Sequence, residues 1–237
     1  MTRHVGLLIP STNTTIEVEY NRVLPKDFQI HVGRLLMQTV DEAGWRTQDA
    51  EIDHQARLLG LAPIELLILA QSTASFYAAD YDATVTARMH AAAGVPALAA
   101  GHIVGRAIRA LGARRVAVFG PIGYDVTARG RRYFEERHGL SVAVAESFAA
   151  VPNRAISGLG IDMATEVIAR TDRADVEALV VVGGNFAAMA AIADWERRFN
   201  KPVVTTNQAT MWGILRALDP AARMPGYGRL LEALPAG

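Results

Sequence analysis

Short apolar runs and amphipathic stretches alternate along the whole chain. Runs rich in β-branched and aliphatic residues predict eight strands, at 5–9, 29–35, 64–69, 95–99, 115–119, 141–145, 178–182 and 202–205. Several are apolar without alternation, which is typical of strands covered on both faces. Helical spacing of apolar positions fills the intervals at 49–59, 81–93, 102–111, 125–138, 161–171, 186–199 and 208–218. Strands that alternate with helices predict parallel sheets.

The spacing of the strands divides the chain into two similar halves. The interval between Val5 and Ile64 nearly matches that between Arg115 and Ala178. We therefore predict an α/β fold with two pseudo-symmetric lobes, each a roughly four-stranded parallel sheet flanked by helices, and an active site between them. We assign residues 1–99 to the N-terminal lobe and 100–206 to the C-terminal lobe. Residues 207–237 are expected to pack back on the first lobe.

Small and polar residues follow most of the predicted strands, at 10–15, 71–75, 101–102, 120–125, 183–185 and 206–207. In open parallel sheets, ligands bind beyond the carboxyl ends of the strands. Hydroxyls and backbone N–H groups at helix starts bind anions there. Each loop taken singly also fits an ordinary helix cap. Their occurrence at equivalent ends of both halves predicts a cleft for a small carboxylate.

Charge and composition narrow the classes of function. The 24 Lys and Arg residues balance 24 Asp and Glu residues, which excludes an electrostatic grip on nucleic acid or an anionic membrane as the main activity. The chain has no cysteine, so disulfides, thiolate metal sites and thiol nucleophiles are excluded. No apolar run approaches the roughly 20 residues of a membrane span, and no signal peptide is recognised. We expect a cytoplasmic enzyme.

No motif in the chain indicates a cofactor. The glycine pairs at 120–123 and 183–184 match neither a dinucleotide fingerprint nor a phosphate-binding loop. The histidines lack the spacing of metal ligands. We therefore predict no cofactor, no metal and no nucleic-acid or membrane partner. A homo-oligomer is compatible with the composition, which does not require one.

Three segments carry a resemblance to known families. Residues 5–17 resemble the opening strand and loop of maleate cis-trans isomerases, residues 71–77 the first catalytic loop of arylmalonate decarboxylases, and residues 225–230 their C-terminal stretch. Both families belong to the Asp/Glu racemase superfamily, and the similarity runs nearly end to end. The resemblance implies a substrate-orienting role for Asn13. It also implies that Ser72 and Thr73 hold a carboxylate and stabilise an enediolate.

The chain departs from this superfamily at its catalytic thiols. Members typically carry one cysteine after the third strand and another after the seventh, and the matching positions here are Gln71 and Gly183. A two-thiol racemase and the thiol-adduct route of a maleate isomerase are therefore excluded. Backbone donors in the matching loops remain. The other candidate substrate-binding residues are Ser11, Gly184, Asn185, Thr206 and Asn207.

A different acid or base must then move protons. We select His102, because it follows a strand and opens a helix, which is expected to point it toward the cleft. Tyr124 is a candidate hydrogen-bond donor to substrate. The first hypothesis is a cofactor-independent lyase or isomerase of a small carboxylic or dicarboxylic acid. The second is a hydrolase of a small amide or lactam, with Gln71 or Asn185 positioning water. The third is a catalytically silent carboxylate-binding protein.

Overall fold

The computed structural model describes residues 2–237, and these residues form two parallel sheets. The first contains β1 Arg3–Pro10, β2 Phe28–Leu35, β3 Leu66–Leu69 and β4 Ala97–Ala99. The second contains β5 Arg115–Gly120, β6 Ser141–Ser147, β7 Ala178–Val181 and β8 Val203–Thr205. All eight predicted strands are confirmed, with shifts of one or two residues at most of their ends.

Helices cover both sheets. The α-helices are α1 Ile16–Val23, α2 Glu42–Asp49, α3 Ile52–Leu59, α4 Tyr81–Ala93, α5 Ala100–Ala110, α6 Tyr124–His138, α7 Ile161–Thr171, α8 Ile192–Phe199, α9 Thr206–Leu218 and α10 Arg229–Ala233. Short 3₁₀ helices span Ser72–Phe76, Asn153–Gly158 and Met189–Ala191. Within residues 2–237, none of these helices combines the length and the apolar character needed to cross a bilayer.

The two sheets have the same topology. Their strand orders are β2-β1-β3-β4 and β6-β5-β7-β8, and every neighbouring pair is parallel. This confirms the predicted pair of pseudo-symmetric α/β lobes. The repeat places the loops after β1 and β3 in one lobe at positions equivalent to the loops after β5 and β7 in the other.

Apolar packing joins the two lobes into one body. The central strands are buried along their length, as the unbroken apolar runs of β3 and β7 predict. A single cluster of buried side chains extends from Leu7 of β1 through Ile103 and Ala107 of α5 to Val180 of β7. Burial of this surface is the main term that stabilises the arrangement of the lobes.

The C-terminal segment contacts elements of both lobes. The start of α9 reaches the first lobe, where the Tyr20 hydroxyl donates to the Asn207 carbonyl oxygen at 3.3 Å. Further along, the Trp212 indole N–H donates to the Pro235 carbonyl oxygen at 3.0 Å, and Arg106 of α5 donates to that of Gly237 at 3.1 Å. The assignment of residues 1–99, 100–206 and 207–237 to lobes stays a prediction.

The helix predicted at 49–59 begins at Ile52 as α3, and the structure adds α2 at Glu42–Asp49, which the sequence analysis did not predict. Asp41 caps α2 by accepting from the backbone N–H of Gly44 at 2.9 Å. Arg88 of α4 binds both the Asp49 carboxylate and, at 3.0 Å, the Asp49 carbonyl oxygen. α2 ends at Asp49 and α3 begins at Ile52. The contacts with Arg88 therefore lie at the end of α2, just before the start of α3.

Gly101 allows α5 to approach the loop that follows β3. A Cβ atom at this position would lie 2.3 Å from Ser75 Oγ and 2.9 Å from the Ser72 carbonyl oxygen. We expect Gly101→Ala to lower the free energy of unfolding by about 1–3 kcal/mol, because the loop must shift. Urea denaturation measures the change. Gly160→Ala is the control, since nothing lies within 4 Å of its Cβ position. Equal unfolding midpoints for the two variants would contradict the expectation.

Candidate active site

A cavity lies between the lobes, at the carboxyl ends of the central strands. Its empty volume is about 410 Å³, a figure that includes open solvent at its mouth. Most of its lining comes from the loops after β1, β3 and β7. The lining residues are Pro10, Asn13, Val40, Ala70, Gln71, Ser72, Thr73, Ile122, Asn153, Ile156, Gly183, Gly184 and Asn185.

Asn13 turns its amide nitrogen away from the helix it caps. Its Oδ1 accepts from the backbone N–H groups of Thr15 and Ile16, each at 3.0 Å. The carbonyl end of the amide therefore satisfies the start of α1. Within residues 2–237 its Nδ2 makes no hydrogen bond to protein. The amide N–H groups are thus the part of Asn13 that can donate to an occupant of the cavity.

The loop after β3 contributes donors and one unpaired acceptor. Ser72 and Thr73 open the 3₁₀ helix, so their backbone N–H groups have no partner within that helix. Gln71 is 7% exposed, and its Nε2 donates to Met37 Sδ at 3.1 Å and to Thr73 Oγ1 at 3.3 Å. The Gln71 Oε1 atom is buried and has no hydrogen-bond partner within residues 2–237.

The loop after β7 presents backbone donors from the second lobe. Gly183 has a φ of +109°, which favours glycine because a side chain would be strained there. The turn closes through the Phe186 N–H, which donates to the Gly183 carbonyl oxygen at 3.0 Å. Neither the Gly184 nor the Asn185 N–H donates to another atom of residues 2–237. These N–H groups lie opposite those of Ser72 and Thr73, in the equivalent loop of the pseudo-symmetric lobe.

The Asn185 side chain joins the two lobes. Its Oδ1 accepts from the Thr14 N–H at 2.9 Å, and its Nδ2 donates to the Asn153 carbonyl oxygen at 3.0 Å. The Asn185 carbonyl oxygen also accepts from the Thr15 hydroxyl at 2.8 Å. All three groups are occupied by structural hydrogen bonds. Asn185 can therefore serve a ligand only through its backbone N–H.

A chain of hydrogen bonds crosses the back of the cavity. The Gly183 N–H donates to Thr206 Oγ1 at 3.1 Å, and Thr206 Oγ1 lies 2.9 Å from Ser72 Oγ. An N–H group can only donate, so the Thr206 hydroxyl accepts the bond from Gly183. It can then donate its own hydrogen bond to the Ser72 oxygen. The Ser72 hydroxyl is then free to donate into the cavity. Thr206 supports the site from behind instead of lining it.

Asn207 and Glu19 form a second support behind the loop after β7. The Asn207 Nδ2 donates to Glu19 Oε2 at 2.7 Å and to the Gly184 carbonyl oxygen at 3.1 Å. Glu19 Oε1 accepts from the Met189 N–H at 3.1 Å. Burial raises the pKa of Glu19, although its two hydrogen bonds oppose that effect. Sequence reasoning gave Glu19 no role, because an acidic residue early in α1 also fits the helix dipole.

The structure places His102 outside this cavity. His102 is the third residue of α5, and its ring packs against His138 with centroids 5.4 Å apart. It lines a separate groove with Asp82 and Arg137. Desolvation of the ring in that groove lowers the pKa of His102. The expectation that the helix start points this side chain into the cleft is wrong, because the helical turn directs it to the opposite side.

Two other predicted residues also stand away from the cavity lining. Tyr124 begins α6 and is 73% exposed. The Ser11 hydroxyl accepts from the Met37 N–H at 3.1 Å and so connects the first loop to the end of β2. Sequence periodicity could not distinguish these supporting positions from contact positions. Their roles as substrate contacts stay predictions.

The cavity lining carries no charge. Among the described residues 2–237, none of the side chains that line it is Asp, Glu, His, Lys, Arg or Tyr. Groups of three or more His, Asp or Glu residues suited to a metal ion are also absent from the described residues. The site therefore consists of neutral donors, hydroxyls and the buried, unpaired amide oxygen of Gln71.

This geometry defines a two-lobed α/β protein with a cavity between the lobes that is lined by neutral donors from both. The arylmalonate decarboxylase family matches residues 5–231, so the chain belongs to that family. The match confirms the resemblance to the Asp/Glu racemase-like superfamily. It also supports the expectation that the protein is an enzyme.

Relatives and solved structures agree with this assignment over nearly the full length. The chain is 27% identical to the maleate isomerase of Nocardia farcinica, with 97% of this chain and 96% of the relative covered. It is 25% identical to the arylmalonate decarboxylase of Bordetella bronchiseptica, with 96% of each covered. A cysteine-to-alanine variant of maleate isomerase Iso from Pseudomonas putida S16, solved with maleate, has a TM-score of 0.92 at 27% identity over 98% of both chains.

The raised pKa of Glu19 predicts a pH-dependent stability. The folded protein holds the Glu19 proton to higher pH than the unfolded chain, whose ordinary value is 4.5. This contribution is full below that value and is lost as pH rises through the folded-state pKa. We therefore expect the unfolding free energy of the wild type, relative to Glu19→Gln, to fall with rising pH above about 4.5.

Urea titrations of both proteins over this pH range measure the difference. Comparison with the variant cancels the opposite slope from His138, whose pKa burial lowers to about 4. Glu177→Gln is the matched control, because its exposed carboxyl has a lowered pKa and gives no slope above 4.5. Parallel curves for wild type and Glu19→Gln would refute the expected role of the buried proton.

Proposed function

We propose that the protein is a cofactor-independent lyase or isomerase of a small carboxylic acid. Membership of the arylmalonate decarboxylase family and similarity to maleate isomerases support this coarse statement. Within it, the geometry favours decarboxylation of a malonate-type dicarboxylic acid through an enediolate. The proposal includes a small carboxylate as the partner that the reaction requires, and a cytoplasmic location.

The donors around the cavity support the binding of developing negative charge. Backbone N–H groups at Ser72 and Thr73 come from one lobe, and those at Gly184 and Asn185 come from the other. Such preorganised donors act most strongly where water is excluded and charge develops during the reaction. The hydroxyl of Ser72 adds a donor that Thr206 orients. Together they suit an enediolate, which carries its charge on two oxygens.

The neutral lining is the observation that favours decarboxylation over the other reactions. Isomerisation or racemisation needs a base to remove a proton from carbon or a nucleophile to add to the double bond. No ionisable side chain lines the cavity among the described residues. Decarboxylation breaks its bond without a base, because carbon dioxide is itself the leaving group. Neutral hydrogen-bond donors around the cavity are therefore sufficient for cleavage of the C–C bond.

The proposed reaction balances with water as the proton source. One C–C bond of the dicarboxylate breaks and releases carbon dioxide. The electron pair of that bond passes into the remaining carboxylate and forms the enediolate. A proton from water then adds to the α-carbon, the hydroxide left behind passes to solvent, and the product is the corresponding monocarboxylate. Oxidation states of protein groups do not change.

Dicarboxylate binding after the loss of one cysteine has a precedent among the relatives. The Pseudomonas putida S16 maleate isomerase was solved with maleate as a cysteine-to-alanine variant. Loss of one thiol in that protein therefore leaves a dicarboxylate in place. The present chain has no cysteine at all, and its cavity retains neutral donors. This supports carboxylate binding by the loops alone.

The hydrolase alternative loses the residue that it required. It relied on His102 as a base, and His102 lies in a separate groove. It also relied on Asn185 or Gln71 to position water, and the Asn185 amide is occupied at both ends. The geometry therefore does not favour hydrolysis. Oxygen from labelled water in the product would support hydrolysis after all.

Turnover of malonate-type acids tests the proposal directly. We expect carbon dioxide release and incorporation of one solvent deuterium at the α-carbon. Ser72→Ala should lower kcat/KM by roughly 10²–10³, because a donor to the developing oxyanion is lost. His102→Ala is the matched control and should leave kcat/KM unchanged. Carbon dioxide release in deuterated buffer measures kcat/KM for both variants.

Three outcomes would count against the proposal. Saturable carboxylate binding without turnover across a broad panel of acids would favour the silent binding protein instead. A large loss of turnover in His102→Ala would return that histidine to the mechanism. Full activity in Ser72→Ala would remove the hydroxyl from the oxyanion site.

A further inference from the structure

The unpaired oxygen of Gln71 carries an inference about the substrate. Gln71 lines the cavity and is more than nine-tenths buried, yet its Oε1 has no partner within residues 2–237. A buried acceptor left without a donor is destabilising, because it has lost its hydrogen bonds to water and gained none in return. Asn13, Ser72 and Thr73 supply donors to an anion, whereas Gln71 Oε1 can only accept.

Met37 determines which end of the Gln71 amide remains unpaired. A thioether sulfur accepts hydrogen bonds and cannot donate them. The atom 3.1 Å from Met37 Sδ must therefore be the amide nitrogen and not the oxygen. The second contact, 3.3 Å from Nε2 to Thr73 Oγ1, uses the same nitrogen. The oxygen is then the polar atom of this side chain that is left for an occupant.

A carboxylate and a hydrogen-bond donor on the ligand need different partners in the cavity. The carboxylate of a ligand needs N–H and O–H donors, which the loops after β3 and β7 supply. A bare carboxylate placed against Gln71 Oε1 would set oxygen against oxygen, which is repulsive. The acceptor would be satisfied by an O–H or N–H group on the ligand. Sites built to bond such a group discriminate strongly against analogues that lack it.

We propose that Gln71 Oε1 selects a small carboxylic acid bearing a hydroxyl or N–H donor beside its carboxylate. The inference rests on the proposed function and narrows its substrate class. Gln71 binds through this oxygen, and Met37 is a positioning residue that acts by orienting the amide. The position that the superfamily resemblance matches to a thiol thus becomes a specificity determinant here.

Hydroxymalonate and methylmalonate form a matched pair of test ligands. They have nearly the same shape and the same charge, and differ in a hydroxyl against a methyl group. Isothermal titration calorimetry at a pH where both are dianions measures the two dissociation constants. We expect the wild type to bind hydroxymalonate roughly ten- to a hundredfold more tightly, because methylmalonate leaves the acceptor unpaired.

Variants locate the preference at the amide oxygen. Gln71→Met should reduce the ratio of the two dissociation constants to near one while methylmalonate still binds. Met37→Leu should also reduce the ratio, because the amide is then free to turn. Gln29→Met on the exposed side of β2 is the matched control and should keep the wild-type ratio. A merely structural role for Gln71 would weaken both ligands equally and leave the ratio unchanged.

The outcomes separate this inference from the function on which it rests. Equal binding of the two acids by the wild type would overturn the inference and leave carboxylate binding intact. Failure of both acids to bind would overturn the inference together with the proposed function. A preference for hydroxymalonate that survives in Gln71→Met would also overturn it. Should Gln71→Met fail to fold, the wild-type and Met37→Leu ratios still decide.

Discussion

The hydrogen bonds that Asn185 makes across the lobes hold the site together. Oδ1 binds the loop after β1, and Nδ2 binds the segment that leads into the 3₁₀ helix Asn153–Gly158. The Thr15 hydroxyl binds the Asn185 carbonyl oxygen from the first lobe. The bonds with Thr15 and Asn153 are buried and the bond with Thr14 is partly buried, so breaking the set would leave several polar atoms unpaired at once. These bonds therefore fix the spacing of the two loops that line the cavity from either lobe.

A site built from neutral donors has a particular electrostatic character. Among the described residues it contains no charged side chain, so any attraction for an anion comes from the oriented dipoles of its neutral donors. Thr206 and Asn207 lie behind the cavity and orient the groups in front of them. The buried carboxyl of Glu19, with its raised pKa, takes part in this support and stays out of the cavity. Catalytic power in such a site comes from preorganisation, since the donors need no rearrangement when charge develops.

The sequence predicted the elements that flank His102 correctly, but not the direction of its side chain. Its place after β4 and at the start of α5 followed from the sequence, and the structure confirms both elements. Its direction depended on the helical phase of α5, which is set by packing of Ile103 and Ala107 into the core. That packing turns position 102 toward α6 and His138. A residue can therefore occupy the expected end of a strand and still face another groove.

The sequence by itself determined the two parallel sheets, the repeat of the lobes, and the loops after β1, β3 and β7 that line the cavity. These features follow from local periodicity, from glycine and polar residues at strand ends, and from the absence of cysteine. The tertiary structure alone decided which polar groups already have hydrogen-bond partners within the protein. Asn185 is consumed by the lobe contact, Asn13 turns its nitrogen inward, and Gln71 keeps a free oxygen because Met37 binds its nitrogen. Hydrogen bonds between residues far apart in sequence make that division, and no local pattern encodes them.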